Sequence, residues 1–211
     1  MHGVPFFADN GPPLDASRHG SGNPMSQVKK PAMRDAILRA AAEQFRQNGY
    51  AGTSLARVAQ GAGTATSNLY VYFDSKLDLL FALAGPWLLA RMDALAAEAA
   101  GLGDARARLA HLLNGMWRDI PADPDGYAVL LIEAFSALDA GDRYSLALLR
   151  DAEARLALAL ATILPEAWAG PVSHLAFMAF DGFTIGHRLG GAGPRQSVVV
   201  EMLCDLLVGQ A

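Results

Sequence analysis

The sequence predicts an all-α protein, with a small N-terminal head of three helices followed by a larger helical domain. Three observations carry this. Alanine and leucine dominate over valine and isoleucine in a chain that is 52% hydrophobic, a balance that favours helix over strand. From residue 31 onward apolar residues recur with the 3.6-residue helical period, and glycine or proline punctuates each run. No segment alternates with period two between hairpin turns, and no internal repeat is present.

The elements follow in order. Residues 1–30 are rich in Gly, Pro, Ser and Asn and have no apolar period, so a disordered tail is expected there, with translation starting at Met1 or Met25. Pro31 suits a first helical position. Ile37, Ala40, Ala41, Gln44 and Phe45 then form one face, opposite Arg34, Asp35, Arg39, Glu43 and Arg46. Asn48-Gly49 ends this helix. Thr53-Ser54 offers a cap for a second, short helix built on Leu55, Val58, Ala59 and Ala62, which Gly63 breaks. A third short helix is expected over roughly 65–72, and a fourth from Ser75. Further helices are expected near 75–100, 104–119, 126–139, 142–164, 172–190 and 195–209, separated by the Gly- and Pro-bearing segments at 101–103, 121–126, 141, 165–171 and 190–194.

Composition narrows the function. No stretch approaches the ~18 consecutive apolar residues that span a bilayer; the longest runs, at 79–90 and 156–164, are interrupted or short. No basic region followed by an apolar core marks a signal peptide, so no membrane partner is expected. The one cysteine, Cys204, cannot form an intramolecular disulfide and fits a reducing cytoplasm; its plainer role is a small buried hydrophobe. His2, His19, His111, His174 and His187 have no metal-ligand spacing, and no P-loop, G-x-S-x-G elbow or H-E-x-x-H is present. No enzyme and no cofactor are expected. The net charge of −4 is unevenly spread. Residues 29–79 hold seven Lys/Arg against four acids, whereas 80–211 hold nine against fifteen. A basic segment in an acidic chain suits contact with a polyanion.

The stretch GAGTATSNLYVYFDSK at 61–76 gives this polyanion a candidate reader. Two short helices joined by a glycine-containing turn make a helix-turn-helix. Thr66, Ser67 and Tyr70 share one face of the third helix, while Ala65, Leu69 and Tyr72 lie towards the other, where Ala65 and Leu69 can pack on the first two helices. Hydroxyls and a phenol suit base edges, thymine methyls and phosphates in a major groove. Lys76 places a cation in the first turn of the fourth helix, against the macrodipole, which makes sense where a phosphate binds beside the free N–H groups. By spacing alone, Tyr70, Tyr72 and Phe73 equally suit an aromatic core cluster under a loop.

The longer stretch VAQGAGTATSNLYVYFDSKLDLL at 58–80 resembles the DNA-binding signature of the TetR/AcrR family of bacterial transcriptional regulators. Val58-Ala59, Ala62-Gly63, the run from Leu69 to Phe73, Ser75-Lys76 and Leu79 stand in the family's order and spacing. Phe45, Gly49-Tyr50 and Thr53-Ser54 fit the junction of its first two helices, and MAFDGFTIGHRLGG at 178–191 resembles its eighth helix. The resemblance implies that Thr53 or Ser54, Tyr72 and Lys76 bind phosphates, that Thr66, Ser67 and Tyr70 approach bases, and that Asn68 does either. On that footing Lys76→Ala lowers the salt slope of DNA binding by roughly one. The chain departs from the pattern at Thr64, Ala65 and Ser67, where the family has an aliphatic residue, a serine and a smaller residue. Ala65 cannot cap the third helix, which leaves Thr64 or Thr66 to do so.

The resemblance further implies a DNA-binding head over 31–78 and a ligand-binding and dimerisation domain over 79–211, making a ligand-responsive repressor, a homodimer on a palindromic double-stranded DNA operator, released by a small and largely apolar effector held in the C-terminal domain. The alternative is an all-α small-molecule carrier or enzyme with a degenerate DNA-binding head. Val198, Val199, Met202, Leu203, Leu206 and Leu207 form a broad apolar stripe on the last helix, suited to core or to pairing of the last two helices between subunits. Trp87, His111, Trp117, Tyr127, Phe135, Phe177 and Asp181 are the candidate pocket residues, with His111, Asp181 and His187 as polar anchors in an otherwise apolar site. Pro86, inside the fourth helix, is expected to kink it near 82–86 and offers a hinge between the two domains.

Overall fold

The fold, obtained as a computed structural model, describes residues 24–138, 147–190 and 193–209; within them it consists of helices and turns, with no strand. α1 (Pro24–Gly52) begins before the expected Pro31, which lies inside it. Pro24 supplies the fixed φ of a first helical position, and residues 25–30 contain no glycine or proline to stop propagation. Residues 1–23 of the expected tail lie outside the described residues. At the other end Gly49 leaves helical geometry with φ 66° and ψ −178°, as the Asn48-Gly49 pair predicts.

α2 (Leu55–Gly61) and α3 (Thr66–Leu69) complete the head. α3 is shorter than the expected 65–72. The aromatic and β-branched residues 70–73 are weak helix formers, and the chain turns there, with the amides of Tyr72 and Phe73 both donating to the Leu69 carbonyl. Ile37, Ala41 and Phe45 of α1 meet Val58 and Ala59 of α2, Leu69 of α3 and Phe73 in one buried core. Ala65, expected to join it, is exposed at the start of α3.

α4 (Lys76–Ala100) runs as one helix through Pro86. Pro86 is exposed, so the hydrogen bond it cannot make lies on the hydrated side. α4 alone among the described helices is long and apolar enough to cross a membrane, with mean hydropathy 1.4 over its most apolar window. The uninterrupted runs in the sequence gave no such candidate, because isolated polar residues divide them without lowering the mean much. Leu77, Leu79, Leu80, Leu88, Met92 and Leu95 of this helix are buried against the rest of the protein.

α5 (Ala105–Asn114) widens into a π-type turn over Gly115–Asp119, where the Ile120 amide reaches the Gly115 carbonyl at 2.9 Å. A Cβ on Gly115 would lie 2.1 Å from Leu95 Cδ2, so a larger residue there would displace the buried Leu95 side chain of α4. α6 (Tyr127–Ser136), α7 (Ala147–Leu160), α8 (Glu166–Arg188) and α9 (Gly193–Val208) follow. The expected start of α7 at 142 lies outside the described residues. α8 starts before the expected 172, with Pro165 as its leading residue and Pro171 exposed within it. α7 packs on α8 and α4, α5 on α9, and α1 on α6, which seats the head on the body. Arg106 of α5 pairs with Glu201 and Asp205, fastening α9.

Candidate nucleic-acid interface and ligand cavity

The head sorts the expected DNA-facing residues into two groups. Ser67 is exposed and Tyr70 is 54% exposed, held outward on a short helix whose Leu69 is fully buried. Val71, 70% exposed, joins this face and escaped notice in the sequence because its aliphatic side chain reads as core. Thr66, Asn68 and Tyr72 are half-buried. Asn68 Nδ2 donates to Thr64 Oγ1 at 2.8 Å, so the two side chains brace each other across the start of α3. Neither threonine caps the helix, and the Ala65 position has no side-chain cap. The aromatic run divides: Phe73 is buried with the Arg34 guanidinium 5.4 Å from its ring centre, while Tyr70 faces solvent.

Thr53 and Lys76 differ from expectation. Thr53 is 3% exposed, and its hydroxyl donates to the carbonyls of Gln44 and Gly49. It closes the end of α1, and Ser54, exposed, takes the cap of α2 by accepting from the Arg57 amide at 3.3 Å. Lys76 Nζ donates to the carbonyls of Tyr50 at 2.8 Å and Thr53 at 3.1 Å, and stands 4.2 Å from the centre of the Tyr50 ring. Its charge at the N-terminus of α4 thus meets carbonyls at the α1–α2 corner, inside the protein. Burial pushes its pKa below the ordinary lysine value. Ser75 and Asp78 supply the capping of α4, through the Asp78 amide to Ser75 Oγ and the Asp74 amide to Asp78 Oδ2.

Glu133 of α6 ties this corner to the body. Its Oε2 accepts the Tyr50 amide at 2.9 Å, and its Oε1 pairs with Arg188 of α8. A Cβ on Gly49 would sit 3.0 Å from Glu133 Oε2, so glycine at this positive-φ position also leaves room for the carboxylate.

A cavity of about 500 Å³ opens among α4, α6, α7 and α8. Of the expected pocket residues, Phe135, Phe177 and Asp181 line it. The other four do not. Trp117 is 2% exposed, donates from Nε1 to the Ala176 carbonyl at 2.9 Å and stacks on Phe183. Trp87 packs on Tyr127 with ring centres 5.5 Å apart, and burial, then Asp125 and Asp123, pushes the Tyr127 phenol upward in pKa. His111 lies 2.9 Å from Glu98. His187, the third candidate anchor, is exposed beside the end of α1 and outside the cavity. Their side-chain types suit a pocket, but the helix packing turns them to other faces. Arg150, Glu153 and His174 are the polar lining that the sequence did not reveal. Only the spacing of 150 and 153 on one helical face hinted at the first two.

Asp181, although exposed as a residue, is crowded enough by apolar lining that burial pushes its pKa above the usual carboxylate value. Its carboxylate has no hydrogen bond or ion pair among the described residues, whereas Glu153 Oε1 lies 3.0 Å from His174 Nδ1. A mostly apolar cavity with few polar groups is the form of a small-molecule site.

On the outside of the body, α8 exposes Leu175, Met178 and Ile185, with Leu189 just past its end, and α9 exposes Val198, Met202 and Leu206. The α9 stripe divides: Val199, Leu203 and Leu207 pack inward.

The profile of bacterial regulatory proteins, tetR family, matches residues 37–83, the helix-turn-helix head and the start of α4. No curated protein sequence matches significantly. Among solved structures, a TetR transcription regulator from Haloarcula marismortui is 22% identical, with 84% of this chain and 98% of that one covered and a TM-score of 0.60. FadR from Bacillus subtilis, in complex with stearoyl-CoA, is 17% identical, with 84% and 99% covered and a TM-score of 0.56. A transcriptional regulator from Saccharomonospora viridis in complex with choline is 20% identical, with 83% and 96% covered and a TM-score of 0.56. At these identities the likeness establishes the fold, an all-α head and helical body. The head thus carries a segment similar to that of the tetR family of bacterial regulatory proteins, on an all-α fold shared with solved transcriptional regulators.

Proposed function

We propose that the protein is a cytoplasmic, ligand-responsive repressor that binds a palindromic operator as a homodimer and leaves it when a small, largely apolar molecule fills the cavity. The observation that carries the DNA-binding part is the outward face of α3: Ser67 and Tyr70 are exposed on a helix anchored by buried Leu69. A phenol and a hydroxyl on a rigid, anchored helix are suited to base edges and phosphates. Ser54, exposed at the start of α2, is a phosphate contact in this reading, and half-buried Thr66, Asn68 and Tyr72 flank the groove. Thr53 and Lys76 act from inside, by setting the corner that presents α2 and α3.

Pairing is supported by the apolar side chains that α8 and α9 leave exposed. Adjoining apolar stripes of this kind mark an interaction surface, and a two-fold axis there would present two heads to successive half-sites. Ligand control is supported by the cavity and by two structural neighbours whose complexes hold stearoyl-CoA and choline.

The test is sedimentation of the purified protein with gel retardation of DNA from its own promoter region. A dimer that retards a palindromic fragment, with binding that falls steeply with salt, is expected. A monomer at micromolar concentration with no DNA binding overturns the proposal.

A further inference from the structure

We propose that the cavity selects an organic cation carried on an apolar body, with Asp181 as the counter-ion and the surrounding phenyl rings as the cation-facing wall. This rests on the reading of the cavity as the effector site and goes beyond it by naming the ligand's charge.

The first observation is the state of the carboxylates. Asp181 has no hydrogen bond or ion pair among the described residues. The other lining carboxylate, Glu153, is engaged by His174. Asp181 is exposed at the mouth of the cavity yet borders apolar walls, and this partial desolvation pushes its pKa upward. A ligand cation gains an unpaired carboxylate there. A ligand anion is repelled by it.

The second observation is what surrounds Asp181. Phe177 stands one helical turn before it on the same face of α8, and Phe180 and Phe135 also line the space. The face of a phenyl ring is its negative region, and cations with poorly hydrated, alkylated heads bind against such faces. Phenyl faces and a free carboxylate favour the same sign of charge.

The third is the balance of charge. Arg150 is the one cation of the lining besides the histidine, and it is exposed in the first turn of α7. An incoming anion would gain Arg150 but face both Glu153 and Asp181. An incoming cation would find two carboxylates, one of them unpaired.

The experiment uses the full chain and three probes with the same ten-carbon tail: decyltrimethylammonium, decanoate and decanol, each below the concentration at which it forms micelles. Isothermal titration gives their affinities for the wild type and for Asp181→Asn. Asn keeps the shape of Asp181 and removes its charge, and thermal melting of the variant checks that it folds. The cation should bind more tightly than decanol, and decanol more tightly than decanoate. Asp181→Asn should weaken the cation by about tenfold, the size of one charge-assisted contact, and leave decanol within roughly twofold.

If decanol or decanoate binds as tightly as the cation, or if Asp181→Asn leaves the cation's affinity unchanged, charge selection is overturned while the effector cavity stands. If none of the three binds, the effector reading of the cavity fails with it.

Discussion

Replacing Lys76 with methionine distinguishes an internal strap from a phosphate ligand. The ammonium donates to two carbonyls, at 2.8 and 3.1 Å, and faces the Tyr50 ring at 4.2 Å. Hydrogen bonds to a charged group contribute about 1.5–3 kcal/mol each, and a cation over a ring adds about 0.5–1 kcal/mol. Against this stand the desolvation of the ammonium and up to ~2 kcal/mol of side-chain entropy lost in fixing it. A net loss of roughly 2 kcal/mol is expected for Lys76→Met, which keeps the apolar stem but leaves both carbonyls short of a donor. For a chain of this size that lowers Tm by roughly 4–8 °C if unfolding is two-state. The DNA-binding consequence is equally specific. A phosphate contact contributes about 0.9 to the slope of log K against log salt. An ammonium committed to carbonyls contributes nothing to it. Thermal unfolding followed by circular dichroism, and operator binding followed by fluorescence anisotropy over a salt series at a temperature where the variant is folded, give both numbers. A fall in Tm with an unchanged slope is expected. An unchanged Tm with a slope reduced by about one refutes the strap and restores Lys76 to the phosphate.

Tyr70→Ala is expected to leave Tm within about 1 °C, since the ring is 54% exposed, and to weaken operator binding more than binding to random DNA, as competition anisotropy would show. Glu133→Ala removes the acceptor of the Tyr50 amide and the partner of Arg188; a loss of about 1.5–3 kcal/mol and faster hydrogen exchange at the Tyr50 amide are expected, and an unchanged exchange rate would count against the clamp. Asp181 holds its proton more tightly in the folded chain than in the unfolded one, so its ionisation works against folding above the raised pKa and ceases to matter below the ordinary value. Asp181→Asn should therefore be at least as stable as wild type at neutral pH, with the difference fading in acid; a variant less stable at pH 7 contradicts this. Met202→Asp, on the exposed stripe of α9, places a charge in the proposed pairing face and is expected to give monomers in sedimentation velocity with the fold retained.

Local rules fixed much of the head from the sequence alone. The period of Ile37, Ala41 and Phe45, the breaks at Gly49 and Gly63, the cap at Ser54 and the start of the fourth helix near Ser75 depend on neighbours within a few residues. The structure carries each of these out. The outward direction of Ser67 and Tyr70 was legible for the same reason, because Leu69 had to point the other way.

What the sequence left undecided depends on contacts between distant segments. Lys76 and the Tyr50 carbonyl are 26 residues apart, and Glu133 and the Tyr50 amide 83 apart. No period or propensity encodes such pairs: in the sequence the lysine's conflict with the helix dipole points to a phosphate, and the structure adds two carbonyls beside the ammonium. The cavity followed the same pattern. Trp87, His111, Trp117 and Tyr127 have the side chains a pocket wants, but the crossing of α4, α5, α6 and α8 spends them on one another and on neighbouring groups. The packing of α7 on α8 brings Arg150, Glu153 and His174 to the wall. Residue type decides what a side chain can do; the packing of helices far apart in the chain decides what it meets.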